Sequence, residues 1–197
     1  MPRADSGSGP VPEGRDPDGY DRLRRRALWS LPTGLFVVGS RAGDRRNLMT
    51  ANWVMQVATT PKLVALAVEA GSVTRRLVDE GGAFSVSVLD RSDRAVVRRF
   101  VKPVDEVRLG TDGVAESMQG QAVHEVHTGL PCLASARWWL VCEVRHTSRW
   151  DDGDGPPASH VLFVGEVVDV GEGSGGGADD GDSGILRMED TRMNYGG

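Results

Sequence analysis

Two short stretches of this chain combine residue types that could hold a flat, polar ligand. The first is 47–56 (NLMTANWVMQ), where Thr50, Ala51 and Asn52 interrupt an apolar strand with small and polar groups. A small residue at Ala51 lets a planar ring approach closely. The Thr50 hydroxyl and the Asn52 amide offer directional hydrogen bonds, and Trp53 adds a stacking face. Chemistry alone favours a plainer reading, a surface strand that alternates faces. The second stretch is 71–77 (GSVTRRL), in which glycine and serine precede a helix whose first turn carries Thr74 and Arg75. The first N–H groups of a helix lack internal partners, and its dipole favours an anion there. That dipole does not prefer a cation, so Arg75 or Arg76 makes more sense beside a bound phosphate. Ser72 acting simply as an N-cap explains the pattern equally well.

Other chemistries lack their residues. No GxGxxG follows a strand and opens a helix, and no P-loop pattern is present. The tract 179–184 (DDGDSG) fails as a calcium loop. Started at Asp180, it puts Gly184 at the third ligand position and Thr191 where the bidentate glutamate belongs. His124 and His127 form an isolated HxxH, weak evidence for zinc. No GxSxG elbow presents a nucleophilic serine. A net charge of −5 with scattered arginines argues against nucleic acid; the one triplet, Arg24 to Arg26, reads as a solvated helix face. No run approaches the roughly 18 apolar residues of a membrane span. Residues 27–39 follow three arginines as a signal peptide would, but they start too far into the chain and are interrupted by Pro32 and Gly34. Cys132 and Cys142, with no CxxC, read as reduced, buried thiols in one strand region. The expected location is the cytoplasm.

The elements that must position the two stretches follow from periodicity and breakers. Residues 1–18 read as a disordered leader. Leu23, Ala27, Leu28 and Leu31 recur at helical spacing over 20–31, and Pro32 ends that helix. Strands are expected at 34–40, 48–58, 62–69, 83–89, 132–147 and 160–170, with helices at 72–80 and 90–100. The first two strands form a hairpin around 42–46. Gly81 and Gly82 stop the second helix. Residues 103–130 read as loop with short strands, 151–159 as an exposed turn, 171–184 as a flexible linker and 185–197 as a tail. Strands outnumber helices, and no alternating strand–helix series spans the chain. A closed antiparallel barrel with flanking helices fits better than a doubly wound sheet.

The order of several pieces brings in a family. LPTGLFVVGS, MTANW, PKLVALAVEAGSVTRRLV and GGAFSVSVLD follow one another here, with GLPCLASARWWLVCEV and SHVLFVGEVVDV further on. Over about 20–170 this series resembles flavin reductase-like proteins of the FMN-binding split-barrel fold, a mainly β, Greek-key-like antiparallel architecture. The resemblance implies FMN as cofactor, with FAD as the alternative flavin, and NAD(P)H as co-substrate. Thr50, Ala51 and Asn52 would contact the isoalloxazine and ribityl chain. Trp53 replaces the more usual serine, and Gln56 stands where a small hydroxyl residue often faces the flavin. Ser72, Thr74 and Arg75 match the phosphate loop. His160 matches a histidine near the nicotinamide site, a role that competes with that of an ordinary strand-end histidine. Tyr195, in the ending MNYGG, would close over the flavin, perhaps of a partner subunit, or belong to an unstructured tail.

The implied reaction is hydride transfer from nicotinamide C4 to flavin N5, with backbone N–H groups around Ala51 to Trp53 stabilising charge at the flavin N1–C2=O edge. Oxygen, free flavin or a partner monooxygenase would take the electrons onward. A homodimer is expected, with no nucleic-acid or membrane partner. A flavin-binding electron carrier or sensor without turnover is the competing function.

Overall fold

A computed structural model of the chain describes residues 10–150, 157–175, 184–191 and 193. The first helix, α1 (Pro17–Trp29), starts where Asp16 accepts a hydrogen bond from Gly19 N at 2.7 Å, with proline in the first helical position. The expected helix is thus present, and no residue of it is buried. No helix among the described residues is long and apolar enough to cross a membrane.

β1 (Phe36–Ala42) and β2 (Arg45–Ala51) form the expected hairpin, with Gly43 at φ +58° in the turn. The expected strand 48–58 is two strands. The chain leaves the ladder at Asn52 and Trp53 and resumes as β3 (Val54–Thr59), followed by β4 (Lys62–Glu69). The reason is topological. With α2 (Val73–Gly81), β5 (Ala83–Val88), β10 (Trp138–Ser148) and β11 (His160–Glu172) in place, one antiparallel sheet runs β2-β1-β5-β10-β11-β4-β3. β2 and β3 are its opposite edges, and Asn52 and Trp53 carry the chain from one to the other. No ladder joins those edges, so the barrel is split rather than closed. Its interior packs Val38, Val64, Leu66, Val68, Phe84, Val86, Val161 and Phe163 with Val78 of α2.

Residues 103–130 hold more structure than expected. β6 (Val107–Leu109), β7 (Ala115–Met118), β8 (Gln121–Val126) and β9 (Leu130–Leu133) form a second antiparallel sheet. It meets β1 so closely that a Cβ on Gly39 would lie 2.0 Å from the Pro131 carbonyl oxygen. Glu125 on β8 fastens the two sheets. Its carboxylate accepts hydrogen bonds from Arg41 Nη1 (2.6 Å), Arg46 Nε (2.5 Å) and Ala115 N (2.9 Å). A buried carboxylate needs such partners because desolvating it alone is costly.

Three other expectations are corrected. The helix over 90–100 is two 3-10 turns, Arg91–Asp93 and Val96–Phe100, which insert Val97 and Phe100 into a second core with Leu35, Leu48 and Leu133. The strand over 132–147 is broken at 134–137, where Ser174 N donates to the Ala134 carbonyl at 2.8 Å. The cysteines therefore occupy β9 and β10, in different sheets. Both are free and buried, and burial pushes their thiols up to about 11 (Cys132) and about 12 (Cys142). Near the C-terminus, Leu186 is fully buried and bridges Leu35 N (3.0 Å) and the Leu89 carbonyl (2.9 Å) through its backbone.

Candidate functional site

The end of β4, the start of β11 and the β2–β3 crossing converge. Ala67 N donates to the Trp53 carbonyl at 3.0 Å, which holds the crossing against β4. The Trp53 indole meets the His160 imidazole edge-on, ring centroids 4.6 Å apart at 65°. Ser159 Oγ lies 2.9 Å from His160 Nδ1, and the Ser159 carbonyl accepts from Ala70 N at 2.9 Å. Across the ladder from His160 stands Glu69. Burial pulls the imidazole below its usual pKa, and the Glu69 carboxylate offsets part of that pull.

α2 opens directly beside this cluster. Ser72 N donates to the Glu69 carbonyl (3.0 Å), and Ser72 Oγ accepts from Arg75 N (3.1 Å), so Ser72 is the N-cap. Arg75 Nε is 2.9 Å from Asp79 Oδ2, yet its buried N–H is aligned with no acceptor. Asp79 also accepts from Arg149 Nη2 at 2.7 Å. Thr74 is buried, and its hydroxyl oxygen accepts from Asn47 Nδ2 at 2.9 Å; Asn47 Oδ1 in turn accepts from Val104 N at 2.9 Å.

The sequence-selected residues thus differ in setting. Trp53, His160 and Ser72 gather around the end of β4. Thr50 donates its hydroxyl to the Val97 carbonyl, on the side of the second core. Ala51 is buried on the opposite side, in the barrel interior. Asn52 is half-buried, and its amide makes no hydrogen bond among the described residues. Gln56 lies further along β3, exposed, with Nε2 donating to the Ala58 carbonyl at 3.1 Å. Tyr195 lies outside the described residues. Sequence reasoning passed over Asn47, Ser159, Asp79 and Arg149. Asn47 stands between two arginines and an apolar pair in β2, and the other three lie in polar surroundings, so nothing in the sequence marks any of the four.

Cavities of about 660 and about 210 Å³ lie elsewhere, around Arg41 and Glu80 and around His127 and Glu143, and none of the candidate site residues lines them. The candidate site is an open surface of the single chain. It continues into the outer face of β3, β4 and β11, where Trp53, Met55, Leu63, Ala67, Leu162 and Val164 are exposed or half-buried.

Arg75, ion-paired with Asp79 beside the N-terminus of α2, and an unengaged amide at the crossing are groups suited to a phosphorylated, carbonyl-bearing ring system.

Comparison with known proteins fits that chemistry. The sequence profile of the flavin reductase like domain matches residues 28–191. An NADH-dependent FMN reductase, AsuE2, of Streptomyces nodosus subsp. asukaensis is 29% identical over 161 residues, covering 77% of this chain and 80% of that protein. The reductase component of 4-hydroxyphenylacetate 3-monooxygenase from Thermus thermophilus is 34% identical over 86 residues, 43% of this chain and 58% of that one. The solved NADH:FAD oxidoreductase SgcE6 of Streptomyces globisporus superposes with a TM-score of 0.60 at 27% identity, covering 83% of this chain and 89% of that one. The chain spans 24% of the length of a 30% identical diflavin flavoprotein of Nostoc sp..

Proposed function

The chain belongs to the flavin reductase like domain family, and from that premise we propose that it binds FMN, or FAD in its place, and passes hydride to it from NAD(P)H. One observation carries this reading. The two stretches selected for ring and phosphate chemistry are tied together by a buried hydrogen bond, Asn47 Nδ2 to Thr74 Oγ1 at 2.9 Å. Bound flavin supplies a hydride-accepting ring that no side chain here can replace. The chain's own work is to hold it. Arg75 and Ser72 take the phosphate at the start of α2, which the buried Thr74 ties to Asn47. Asn52 and the backbone of Thr50, Ala51 and Trp53 take the ring and its ribityl chain, while the Thr50 and Ala51 side chains pack inward. Gln56 lies along the flavin's edge. His160 receives the nicotinamide end of the co-substrate.

The functional unit is a homodimer. The apolar outer face of β3, β4 and β11 supports this, because a second copy seated there would wall a site that one chain leaves open. The relatives suggest that electrons pass to a partner monooxygenase as well as to oxygen or free flavin. The location is the cytoplasm, where two buried thiols stay reduced.

The test is an absorption spectrum of the protein with FMN, followed by steady-state oxidation of NADH and NADPH with added flavin. The expected result is a bound-flavin spectrum and turnover. Bound flavin without turnover would leave an electron carrier or sensor, and no flavin binding would end the reading.

A further inference from the structure

His160 has two ring nitrogens, and its neighbours treat them differently. Nδ1 is 2.9 Å from Ser159 Oγ, while Nε2 makes no hydrogen bond among the described residues. The Trp53 indole presses on the ring at 4.6 Å, nearly perpendicular to it, which restricts rotation about the side chain. Ser159 is itself anchored, because its carbonyl accepts from Ala70 N on the segment that leads into α2. Three separate parts of the chain, the β2–β3 crossing, the entry to β11 and the exit from β4, therefore fix one imidazole. A solvated strand-end histidine needs no such fixing.

We propose that Trp53 and Ser159 are positioning residues that present His160 with Nε2 alone open, to hydrogen-bond the carboxamide of the nicotinamide ring. The two neighbours act differently. Ser159 occupies Nδ1 and so leaves Nε2 as the nitrogen that meets the co-substrate. Trp53 removes water from the ring and keeps it neutral, since burial is the largest influence lowering its basicity and Glu69, across the ladder, is the charged group opposing it. Removing the indole should let the ring take up a proton at higher pH.

The inference rests on the flavin-reductase reading of this site, and its test separates the two. Ser159→Ala, Ser159→Thr and Trp53→Ala are compared with the unaltered protein by the nitrogen NMR shifts of the His160 ring and by the pH dependence of KM and kcat for NAD(P)H. Ser159→Ala should shift the His160 Nδ1 resonance and raise KM for NAD(P)H about three- to tenfold, as loss of one neutral hydrogen bond does, with kcat within about twofold. Ser159→Thr, which keeps the hydroxyl, should restore both. Trp53→Ala should move the acid limb of the KM profile to higher pH. Altered ring shifts with unchanged KM and pH profile would overturn the positioning role while sparing the reading of the site. An unaltered protein that binds flavin and oxidises neither nucleotide would overturn both.

Discussion

Strands β3, β4 and β11 are apolar on both faces, and the two faces meet different fates. Inside, Val64, Leu66, Val68, Val161 and Phe163 are buried against Phe84 and Val86. Outside, Leu63, Ala67, Leu162 and Val164 are only half-buried, and Met55 is 65% exposed. A strand covered on one face alternates apolar and polar residues, whereas one covered on both reads as a continuous apolar run. Residues 62–69 (KLVALAVE) and 160–168 (HVLFVGEVV) are runs of the second kind. The inner face is satisfied by this chain. The outer face is left uncovered by the described residues, and the cluster of Trp53, His160 and Ser159 stands at its end.

The most severe way to test that contrast is to empty the inner face. Phe163→Ala should cost about 3–5 kcal/mol of folding stability, measured by denaturant unfolding, because a large ring is lost from a fully buried position. The neighbouring outward substitution, Val164→Asp, should barely change the stability of the single chain. It should weaken self-association by about 2 kcal/mol or more if Val164 lies at the centre of an interface, read by sedimentation equilibrium. If both variants simply lost stability in proportion, or if Val164→Asp left the oligomeric state unchanged, the two faces would not be doing different jobs.

The apolar runs explain why part of the fold was legible. β1, β4, β5 and β11 were found because each is a single apolar segment between turn residues. The split of 48–58 was not, because Asn52 and Trp53 contain no proline or glycine; the chain stops pairing there only to reach the far edge of the sheet. Short strands were expected within 103–130, but their bounds and their pairing into a second sheet were not legible, because they are three to six residues long and their fastening, Glu125 to Arg41 and Arg46, spans about eighty positions. Leu186 was read as tail because nothing near it in sequence supplies its partners. The helical spacing in α1 predicted a helix correctly, but periodicity does not say what the stripe packs against. At the site, Trp53 and His160 were each singled out, but their contact joins residues brought together only by the order of β11, β4 and β3. Residue type suggested Ser72 and Arg75. It could not indicate that Thr50 would turn its hydroxyl to Val97 or that Arg149 would share Asp79.

Smaller effects sharpen the contrast at the polar rim of the outer face. Arg75→Ala should weaken FMN binding by about 1.5–3 kcal/mol, the range of a hydrogen bond to a charged group, and riboflavin binding far less, in paired calorimetric titrations. Equal losses for both ligands would remove Arg75 from the phosphate. Asn52→Ala should behave in the opposite way, costing FMN and riboflavin alike about 0.5–1.5 kcal/mol. The amide at the crossing can reach only what the two ligands share, the ring and its ribityl chain. Because the Asn52 side chain makes no hydrogen bond among the described residues, its loss should leave folding stability unchanged within about 0.5 kcal/mol. A change in affinity without a change in stability would therefore report on the ligand. Unchanged affinity for both flavins would move the ring away from the crossing, leaving Trp53 and His160 without a flavin to serve.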